Sequence, residues 1–498
     1  MLHLLFEGLK TTFTPNIFLL LFLGVSGGIA IGSLPGLTAT MGVAILLPLT
    51  FGMEPTAALV MLVGIYIGAI YGGSISAILL KTPGTPAAAA TVFDGYTLAQ
   101  KGEASKALAM ATIASFAGGI ISTIMLITIS PILARFALKF SAPEYFALAI
   151  FGLSIIASIS GDNPIKGLLA GFFGLFIATV GMDPVTSYPR FTFASIELLN
   201  GFSIIPVLIG LFALSEAFVQ MEKIFKKDVV IKKDFKRINI TRNELIRVAP
   251  TMAKSALIGT FIGSLPGAGA DIAAFVSYNE ARRSSKYPEK FGTGILEGIA
   301  APEAGNNGVT GGAMVPLLTL GVPGDAVTAI LLGALIIQGI QPGPLIFKEN
   351  ADVVYGLFSS MLVGNALMLI LGLIGIRFFS KIVEIPKKII VPIIISLSIV
   401  GSYSMNNSIF DLYVTLAFGI IGYVMQKIQM PSSPIILAII LGPMAESNLR
   451  RALLMYDGNL SFLYSRPITV IFLLLALFSI FSSYYRMKKV REEAHVQI

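Results

Sequence analysis

The hexapeptide IGSLPG occurs twice in the sequence, at residues 31–36 and again at residues 262–267, each time between long apolar runs. Proline removes a backbone hydrogen-bond donor and glycine relaxes the backbone, so a Leu-Pro-Gly turn ends or sharply kinks a helix. The recurrence of this turn predicts a duplicated architecture built around interrupted helices.

The composition of the 498 residues is typical of an integral membrane protein. Hydrophobic residues make up 55% and charged residues 12%, with a mean hydropathy of +0.84, whereas about a quarter of the residues are charged in soluble domains. The apolar stretches lack the alternation of membrane strands, so they predict helices. We expect an all-α polytopic membrane protein with roughly 10–12 passes. The N-terminal MLHLLFEGLK lacks signal-peptide features and predicts an interfacial helix.

Side chains used in most catalytic chemistry are missing from the apolar segments. The sequence has no Cys, and its two histidines, His3 and His495, lie near its ends. Thiol nucleophiles, histidine acid–base catalysis and Cys or His metal sites are thereby excluded from the membrane core. We expect neither enzymatic activity nor a cofactor. The net charge of +8 comes from basic residues beside apolar runs, which indicates membrane orientation rather than nucleic-acid binding.

A basic segment at residues 221–249, with nine Lys or Arg residues, separates the two halves of the chain. The positive-inside rule predicts that this segment and the basic C-terminus are cytoplasmic. The resulting organisation is a first membrane repeat at residues 1–220, the linker at 221–249 and a second membrane repeat at 250–465. Residues 466–498 are expected to form an extra transmembrane helix and a cytoplasmic tail.

Further matches extend the repeat beyond the hexapeptide. They pair Gly72-Gly73 with Gly311-Gly312, Pro83-Gly84 with Pro323-Gly324, Asp162-Asn163 with Asn406-Asn407, and residues 206–216 with residues 434–446. Equivalent loops have opposite charge bias: residues 81–106 are basic, whereas the matching loop carries only Lys348. Opposite bias predicts two inverted-topology repeats, an arrangement shared by many secondary transporters.

The segments that flank the two hexapeptides differ in predicted length. Around the second copy, residues 251–264 and 270–282 give arms of roughly 20 Å, short of a hydrocarbon core about 30 Å thick. We therefore expect a re-entrant hairpin at the second copy and a longer pair, residues 17–33 and 37–51, at the first. Such broken helices present helix N-termini that attract anions and free carbonyls that attract cations.

Two stretches resemble the large membrane subunit of tripartite tricarboxylate transporters, the TctA family. They are GSLPGLTATMGVAILLPLTFG at residues 32–52 and APEAGNNGVTGG at residues 301–312, and the likeness extends over nearly the whole chain. The resemblance implies an importer of organic anions, such as tri- or dicarboxylates, in a prokaryotic inner membrane. It implies coupling to Na⁺ or H⁺, alternating access, and two partners: a periplasmic TctC-like solute-binding protein and a small TctB-like membrane subunit.

The family's Gly-Pro-rich signatures, together with hydroxyl side chains around the breaks, give candidate substrate-binding residues. These are Ser33, Pro35, Gly36, Thr38, Thr40, Gly73, Ser74, Thr82, Gly84, Ser264, Gly267, Asn306, Asn307, Gly312 and Gly324. Lys81, in ILLKTPG, departs from the family pattern, where we expect Asn, and either adds a cation or marks a helix end. Gly64, Gly68 and Gly72 are spaced for close helix packing rather than for ligand binding.

Ionisable groups inside a membrane are costly and therefore indicate function. The candidate cation-binding residues are Asp271, Glu303, Asn307 and Asp325, and a sodium ion is the one metal that we expect them to suit. At the matching first-half positions, Thr40 corresponds to Asp271 and Thr85 to Asp325. We therefore expect an asymmetric site, charged in the second half and uncharged in the first. In a purely structural interpretation, the same groups brace the breaks and the hydroxyls bond their own helices.

Two other functions use some of these features. A passive anion channel could use the helix breaks, but it does not need two inverted repeats that alternately open the site to each side of the membrane. An intramembrane aspartyl protease would use Asp271, although the sequence offers no convincing second aspartate to share a proton. The repeats and motifs favour the transporter.

Overall fold

The computed structural model describes residues 1–159, 164–183, 186–222, 239–267, 269–383 and 385–496. It is almost entirely helical, which confirms the all-α membrane fold. The predicted match at Asp162-Asn163 and most of the basic linker, residues 223–238, lie outside the described residues.

Within the residues that the structure describes, the first half of the chain forms ten α-helices and one two-stranded hairpin. The helices are α1 Leu2–Thr12, α2 Pro15–Ser33, α3 Ala39–Leu46, α4 Pro55–Leu80, α5 Thr91–Leu98, α6 Ala104–Ala137, α7 Ala142–Ile159, α8 Pro164–Ala178, α9 Ile204–Leu208 and α10 Ser215–Glu222. The strands are β1 Gly181–Met182 and β2 Pro189–Arg190, which pair antiparallel. Short 3₁₀ or π segments lie at Leu47–Thr50, Pro86–Ala88, Ala99–Glu103, Glu197–Asn200 and Ile209–Leu214.

The second half contains twelve α-helices within its described residues. They are α11 Arg242–Gly263, α12 Gly269–Ser284, α13 Leu296–Leu320, α14 Ala326–Ile337, α15 Ile346–Glu349, α16 Ala351–Ile374, α17 Ile376–Ile382, α18 Lys387–Asn406, α19 Ile409–Lys427, α20 Ser433–Met455, α21 Phe462–Ser465 and α22 Pro467–Val496. A 3₁₀ turn at Pro288–Lys290 precedes α13.

Seven helices within the described part of the chain are long and apolar enough to cross a membrane. They are Pro15–Ser33, Pro55–Leu80, Thr91–Ala137, Ile204–Glu222, Arg242–Gly263, Ala351–Ile374 and Ile409–Lys427. Six shorter apolar helices accompany them, at Ala39–Thr50, Ala142–Ile156, Ile165–Ala178, Ala326–Ile337, Lys388–Ser404 and Pro467–Phe481. The total of roughly 10–12 passes stays a prediction, because length and composition do not decide whether the six shorter helices cross the membrane.

The chain divides into two compact units, and each contains one segment from each half. Unit 1 comprises Met1–Ala134 and Glu216–Met405, and unit 2 comprises Arg135–Ser215 and Asn406–Ile498. The units therefore do not coincide with the repeats predicted at residues 1–220 and 250–465. Those repeat boundaries stay a prediction.

The predicted difference between the arms of the two hairpins is wrong. In the second copy the first arm is α11, whose 22 residues span about 33 Å at 1.5 Å per residue. A capping box between Thr241 and Glu244 starts this helix, which continues through Pro250. The second arm is the shorter one in both copies: α3 has 8 residues before a 3₁₀ turn, and α12 has 16.

The N-terminal segment is helical, as predicted, and packs within unit 1. A Cβ atom added to Gly8 of α1 would lie 2.5 Å from the carbonyl oxygen of Tyr355 on α16. The Ser359 hydroxyl of α16 donates a hydrogen bond to the Leu5 carbonyl over 3.1 Å. Helix α1 is thus fixed by direct backbone approach to α16.

Unit 2 is a helical bundle with a polar cluster at its β-hairpin. Helix α20 packs against both α7 and α8, and α22 packs against α7. Arg190 of β2 binds Glu446 of α20 over 2.8 Å, and Arg450 binds Asp183 over 2.8 Å. Two ion pairs, Arg190–Glu446 and Arg450–Asp183, therefore connect the β-hairpin region to α20.

Glycine contacts in unit 1 reveal a local structural repeat. A Cβ atom at Gly68 of α4 would meet the Val25 carbonyl and the Ile29 amide of α2. A Cβ atom at Gly308 of α13 would meet the Ala256 carbonyl and the Thr260 amide of α11. Val25 and Ala256 hold the same place relative to the two hexapeptides, as do Ile29 and Thr260. The α2–α4 and α11–α13 pairs therefore pack in the same register.

This register corrects one predicted match by a single residue. A Cβ atom at Gly72 would lie against the Ile29 carbonyl, and one at Gly312 would lie against the Thr260 carbonyl. Gly72 thus corresponds to Gly312, and Gly73 to Ala313, rather than Gly72-Gly73 to Gly311-Gly312. The prediction that Gly64, Gly68 and Gly72 serve close helix packing is confirmed, since each approaches the α2 backbone.

Candidate functional site

The first hexapeptide forms the break between α2 and α3. Gly36 has a φ of 92°, a left-handed conformation that glycine adopts without steric cost. The Thr38 hydroxyl accepts a hydrogen bond from the Met41 amide over 3.1 Å and caps α3. The break therefore ends in a helix N-terminus whose capping group is uncharged.

The second break of the first half, at Pro83-Gly84, lies directly against the first. Gly84 donates its N–H to the Gly73 carbonyl over 3.2 Å. A Cβ atom at Gly84 would meet the Gly32 carbonyl at the end of α2 and would lie 2.6 Å from the Ser76 hydroxyl. Only glycine fits between these helices, so the two breaks are held together by backbone contact.

The second half repeats this arrangement. The Gly267 amide donates to the Gly324 carbonyl over 2.6 Å, which joins the second hexapeptide to the Pro323-Gly324 break. A Cβ atom at Gly324 would meet the Gly263 carbonyl and would lie 2.6 Å from the Cα atom of Ala313. In both halves of the chain, the hexapeptide therefore lies directly against the Pro-Gly break that follows it.

Reciprocal hydrogen bonds join the two halves within unit 1. The Tyr66 hydroxyl of α4 donates to Asp325 Oδ2 over 2.6 Å, beside the second-half break. Asn306 of α13 donates from Nδ2 to the Ala87 carbonyl over 3.0 Å, beside the first-half break. Tyr66 and Asn306 hold the same place relative to Pro83 and Pro323. Such mutual exchange is typical of elements related by a two-fold axis.

Asp325 is the buried carboxylate at the second-half break. Its side chain is 6% exposed, and Oδ1 accepts the Thr328 amide over 2.8 Å and the Thr328 hydroxyl over 2.7 Å. It therefore caps α14 in a capping box. The matching first-half residue, Thr85, is also buried, and its hydroxyl oxygen has no hydrogen-bond partner. The matched position is therefore a carboxylate at the second-half break and a hydroxyl at the first.

Glu303 is a second buried carboxylate, in the interior of α13. Its two oxygens accept the Thr91 hydroxyl of α5 over 2.5 Å and the Ser115 hydroxyl of α6 over 3.0 Å. Asn307, one turn further along, donates to the Glu303 carbonyl over 3.1 Å and to Asn306 Oδ1 over 2.7 Å. These three residues of α13 are completely buried.

The fourth predicted cation ligand, Asp271, differs from the others. It lies in the first turn of α12 and is exposed, yet it interacts electrostatically with Asp325. Asp271, Asp325 and Gly267 thus lie around one break, whereas Glu303 contacts α5 and α6. No group of three or more His, Cys, Asp or Glu side chains suited to a metal ion occurs among the described residues.

Several predicted hydroxyl ligands bond to their own chain segments. Ser33, Ser74, Thr82 and Ser264 donate to the carbonyls of Ala30, Tyr71, Leu80 and Phe261, respectively. This is the local bonding that the structural interpretation of these residues predicts. Ser33 and Ser74 are buried, Thr40 and Ser264 are partly exposed, and Thr82 is exposed.

Three polar residues that complete this region, Thr91, Ser115 and Asp94, were not predicted from the sequence, whereas Tyr66 could be interpreted from the sequence either as a site group or as an ordinary helix contact. Tyr66, Thr91 and Ser115 contact the candidate carboxylates directly. Asp94 of α5 accepts the Tyr278 hydroxyl over 2.9 Å and the backbone amides of residues 292, 294 and 295. Isolated Ser, Thr and Tyr residues in apolar helices carry little sequence signal, whereas the buried Asp94 carboxylate was a signal available to sequence reasoning.

Lys81 ends α4 and is exposed. Its backbone has a φ of 60°, and its Nζ lies 5.7 Å from the centroid of the Tyr96 ring. This position fits a helix C-terminus, one of the two interpretations of Lys81.

Comparison with known proteins identifies a family and two relatives that this chain resembles. A model of the tripartite tricarboxylate transporter TctA family matches residues 18–437. An uncharacterized 52.8 kDa protein in the TAR-I ttuC' 3'region of Agrobacterium vitis is 38% identical over 470 residues, covering 94% of this chain and 93% of that protein. An uncharacterized protein in the TAR-II ttuC' 3'region of the same organism is 39% identical over 219 residues, covering 44% and 90%, respectively. No solved structure matches the chain.

Proposed function

The chain belongs to the tripartite tricarboxylate transporter TctA family, and from this membership we propose that it imports organic anions by cation-coupled alternating access. The substrate class is a tri- or dicarboxylate, and the coupling ion is Na⁺ or H⁺. The protein is a component of a tripartite transporter in a membrane. We assign it to the prokaryotic inner membrane, with its central basic loop and C-terminus in the cytoplasm.

One observation carries the proposal: two of the candidate cation-binding carboxylates, Glu303 and Asp325, are buried in unit 1 beside helices that are interrupted in matching ways. Among the described residues, no Lys, Arg or His lies within ion-pair distance of either carboxylate. A buried charge without an opposite charge is costly and marks an ion pathway in membrane proteins. Carboxylates placed so that a cation neutralises them support cation-coupled transport.

The difference between the two breaks supports separate roles for them. At the first-half break Thr38 and Thr85 are neutral, and the α3 N-terminus favours a substrate carboxylate. Glu216 of α10 also lies there, with Oε1 3.1 Å from the position of a Cβ atom at Gly36, and it accepts a hydrogen bond from Gln220 over 2.6 Å. Asp271 and Asp325 surround the second-half break, where their negative charge repels an anion and attracts a cation. We therefore assign the substrate to the first break and a cation to the second.

Energetics require coupling if the substrate is accumulated. Import of a trivalent anion against about 100 mV costs roughly 7 kcal/mol, since each charge contributes about 2.3 kcal/mol. Three co-transported cations cancel this electrical cost, and a fourth makes import electrogenic. A dicarboxylate requires correspondingly fewer cations.

Family membership implies partners that supply and support the carrier. We propose a periplasmic TctC-like protein that delivers the substrate and a small TctB-like subunit in the bilayer. Because the family is one of transporter components, we propose no catalytic role for Asp271. Both Asp325 oxygens already accept hydrogen bonds from Tyr66 or Thr328, which argues against a proton shared with Asp271.

The proposal is tested by reconstituting the chain with both partners in proteoliposomes. Radiolabelled citrate and a panel of dicarboxylates serve as probes, with inward Na⁺ and proton gradients imposed separately. Accumulation above the external concentration under either gradient supports the carrier. Uptake that only equilibrates, and that ignores both gradients, indicates a passive channel instead.

A further inference from the structure

We propose that Glu303, held by Thr91 and Ser115, is a proton-binding site that carries the coupling proton of the transporter. The inference rests on the proposed function, because it names the coupling ion and the group that binds it. It concerns a different place from the second-half break, where Asp271 and Asp325 lie.

The site is assembled from three helices and from both halves of the chain. Thr91 belongs to α5 and Ser115 to α6, whereas Glu303 belongs to α13. Each carboxylate oxygen accepts one hydroxyl, Oε1 from Thr91 over 2.5 Å and Oε2 from Ser115 over 3.0 Å. Glu303 is 0% exposed. Access of a proton to it therefore depends on movement or on a polar path between these helices.

Helices α6 and α13 pack closely beside the carboxyl group of Glu303. A Cβ atom at Gly118 of α6 would meet the Ala304 carbonyl of α13, and Ser122 accepts the Gly311 amide over 3.3 Å. Helices α6 and α13 are therefore in direct contact next to the Glu303–Ser115 bond, at Gly118 and Ala304, and again about two turns further toward their C-termini, at Ser122 and Gly311. A tightly packed environment favours the smallest cation, the proton.

Charged and titratable groups on the neighbouring helices do not neutralise Glu303. Tyr71 of α4 interacts electrostatically with it but is itself bonded to the Thr112 hydroxyl. Asp94 of α5 and Tyr278 of α12 bind each other. Three other carboxylates on these helices are held in ion pairs, Glu297 with Arg247, Glu244 with Lys106, and Glu280 of α12 with Lys254 of α11. A proton is the neutralising partner that this environment leaves for Glu303.

The hydroxyl ligands suit a group that gains and loses a proton. A hydroxyl donates to a carboxylate, and it accepts from a protonated carboxyl group, without movement of its oxygen. Thr91 and Ser115 thus serve both states of Glu303. The hydroxyl oxygens also contact the carboxylate directly, at 2.5 and 3.0 Å, and so leave no gap between them for a sodium ion.

A buried acceptor next to the site provides a second observation. Asn307 Oδ1 has no hydrogen-bond partner, and Asn307 bonds through Nδ2 to the backbone carbonyl of Glu303. Such unsatisfied acceptors are rare in buried regions and call for a donor. A water molecule that brings the proton to Glu303 would satisfy it.

Infrared difference spectroscopy of the full chain in lipid tests this site without substrate. A protonated carboxyl group gives a C=O band that disappears as the group ionises. We expect one band that titrates with pH, is lost in Glu303→Gln and is kept in the matched control Asp325→Asn. Ser115→Ala is expected to move the titration midpoint while the band remains, which also shows that a folded site was measured.

Two results would overturn the proton site. One is a titrating band that Glu303→Gln leaves unchanged, and the other is displacement of the Glu303 band by sodium at constant pH. Absence of transport in the proteoliposomes would refute the proposed function but would leave the band in place. If the wild-type chain shows no titrating carboxyl band but still transports substrate with sodium, only the proton site is refuted.

Discussion

Alanine at Gly72 or Gly312 should destabilise the protein, because each glycine allows two helices to touch. A Cβ atom at Gly72 would lie 2.5 Å from the Ile29 carbonyl oxygen and 3.0 Å from the Ser33 amide. A Cβ atom at Gly312 would lie 2.9 Å from the Thr260 Cα atom. These neighbours are backbone atoms, so they yield only if α2 separates from α4, or α11 from α13.

The magnitude follows from two opposing effects. Overpacking of a close contact costs about 1–3 kcal/mol, whereas alanine in place of glycine favours a helix by about 0.5–1 kcal/mol. We expect each variant to lose about 0.5–2 kcal/mol of the free energy of unfolding. Gly27→Ala is the matched control: it lies in α2 with no atom within 4 Å of an added Cβ, so it should be neutral or slightly stabilising.

Denaturation of the purified variants in detergent measures these differences. The two packing variants should fall below the wild type by similar amounts, because they hold the same place in the repeat. If Gly72→Ala and Gly312→Ala were as stable as Gly27→Ala, the matched register of the two helix pairs would be refuted.

Three further predictions concern single side chains. Asp94→Asn removes a carboxylate that accepts three backbone amides within residues 292–295. Because hydrogen bonds to a charged group are worth about 1.5–3 kcal/mol each, we expect the free energy of unfolding to fall by at least about 2 kcal/mol and proteolysis at that loop to become faster. Unchanged proteolysis would count against this prediction. Tyr66→Phe leaves Asp325 Oδ2 without its donor and should lower the free energy of unfolding by about 1–3 kcal/mol; an unchanged denaturation midpoint would contradict this. Lys81→Asn should leave anion uptake in proteoliposomes unchanged, since Lys81 is exposed and Asn tolerates its left-handed backbone; a large rise in the substrate concentration for half-maximal uptake would show that Lys81 binds the anion.

The breaks were predictable because their causes are local. A Pro-Gly pair commonly interrupts a helix, so IGSLPG and the pairs at Pro83 and Pro323 marked the breaks from sequence alone. The long apolar runs similarly fixed the all-α membrane class. The match between the segments around the two hexapeptides was also visible, although the Gly72 match was one residue out of register.

Other features depend on contacts between distant parts of the chain. Tyr66 meets Asp325, and Thr91 meets Glu303, across more than two hundred residues, so no local pattern indicates either pair. The first arm of the second copy was predicted to begin at residue 251, whereas the capping box begins α11 at Arg242 and the helix continues through Pro250. Packing and capping outweighed the local cost of the proline.

Accumulation of a labelled di- or tricarboxylate in proteoliposomes that contain the chain and both partners tests the central claim most directly. The account predicts that an inward proton or sodium gradient raises the internal concentration above the external one, and that an ionophore for that cation abolishes the excess. Internal and external concentrations that become equal, whatever gradient is imposed, would contradict cation-coupled import.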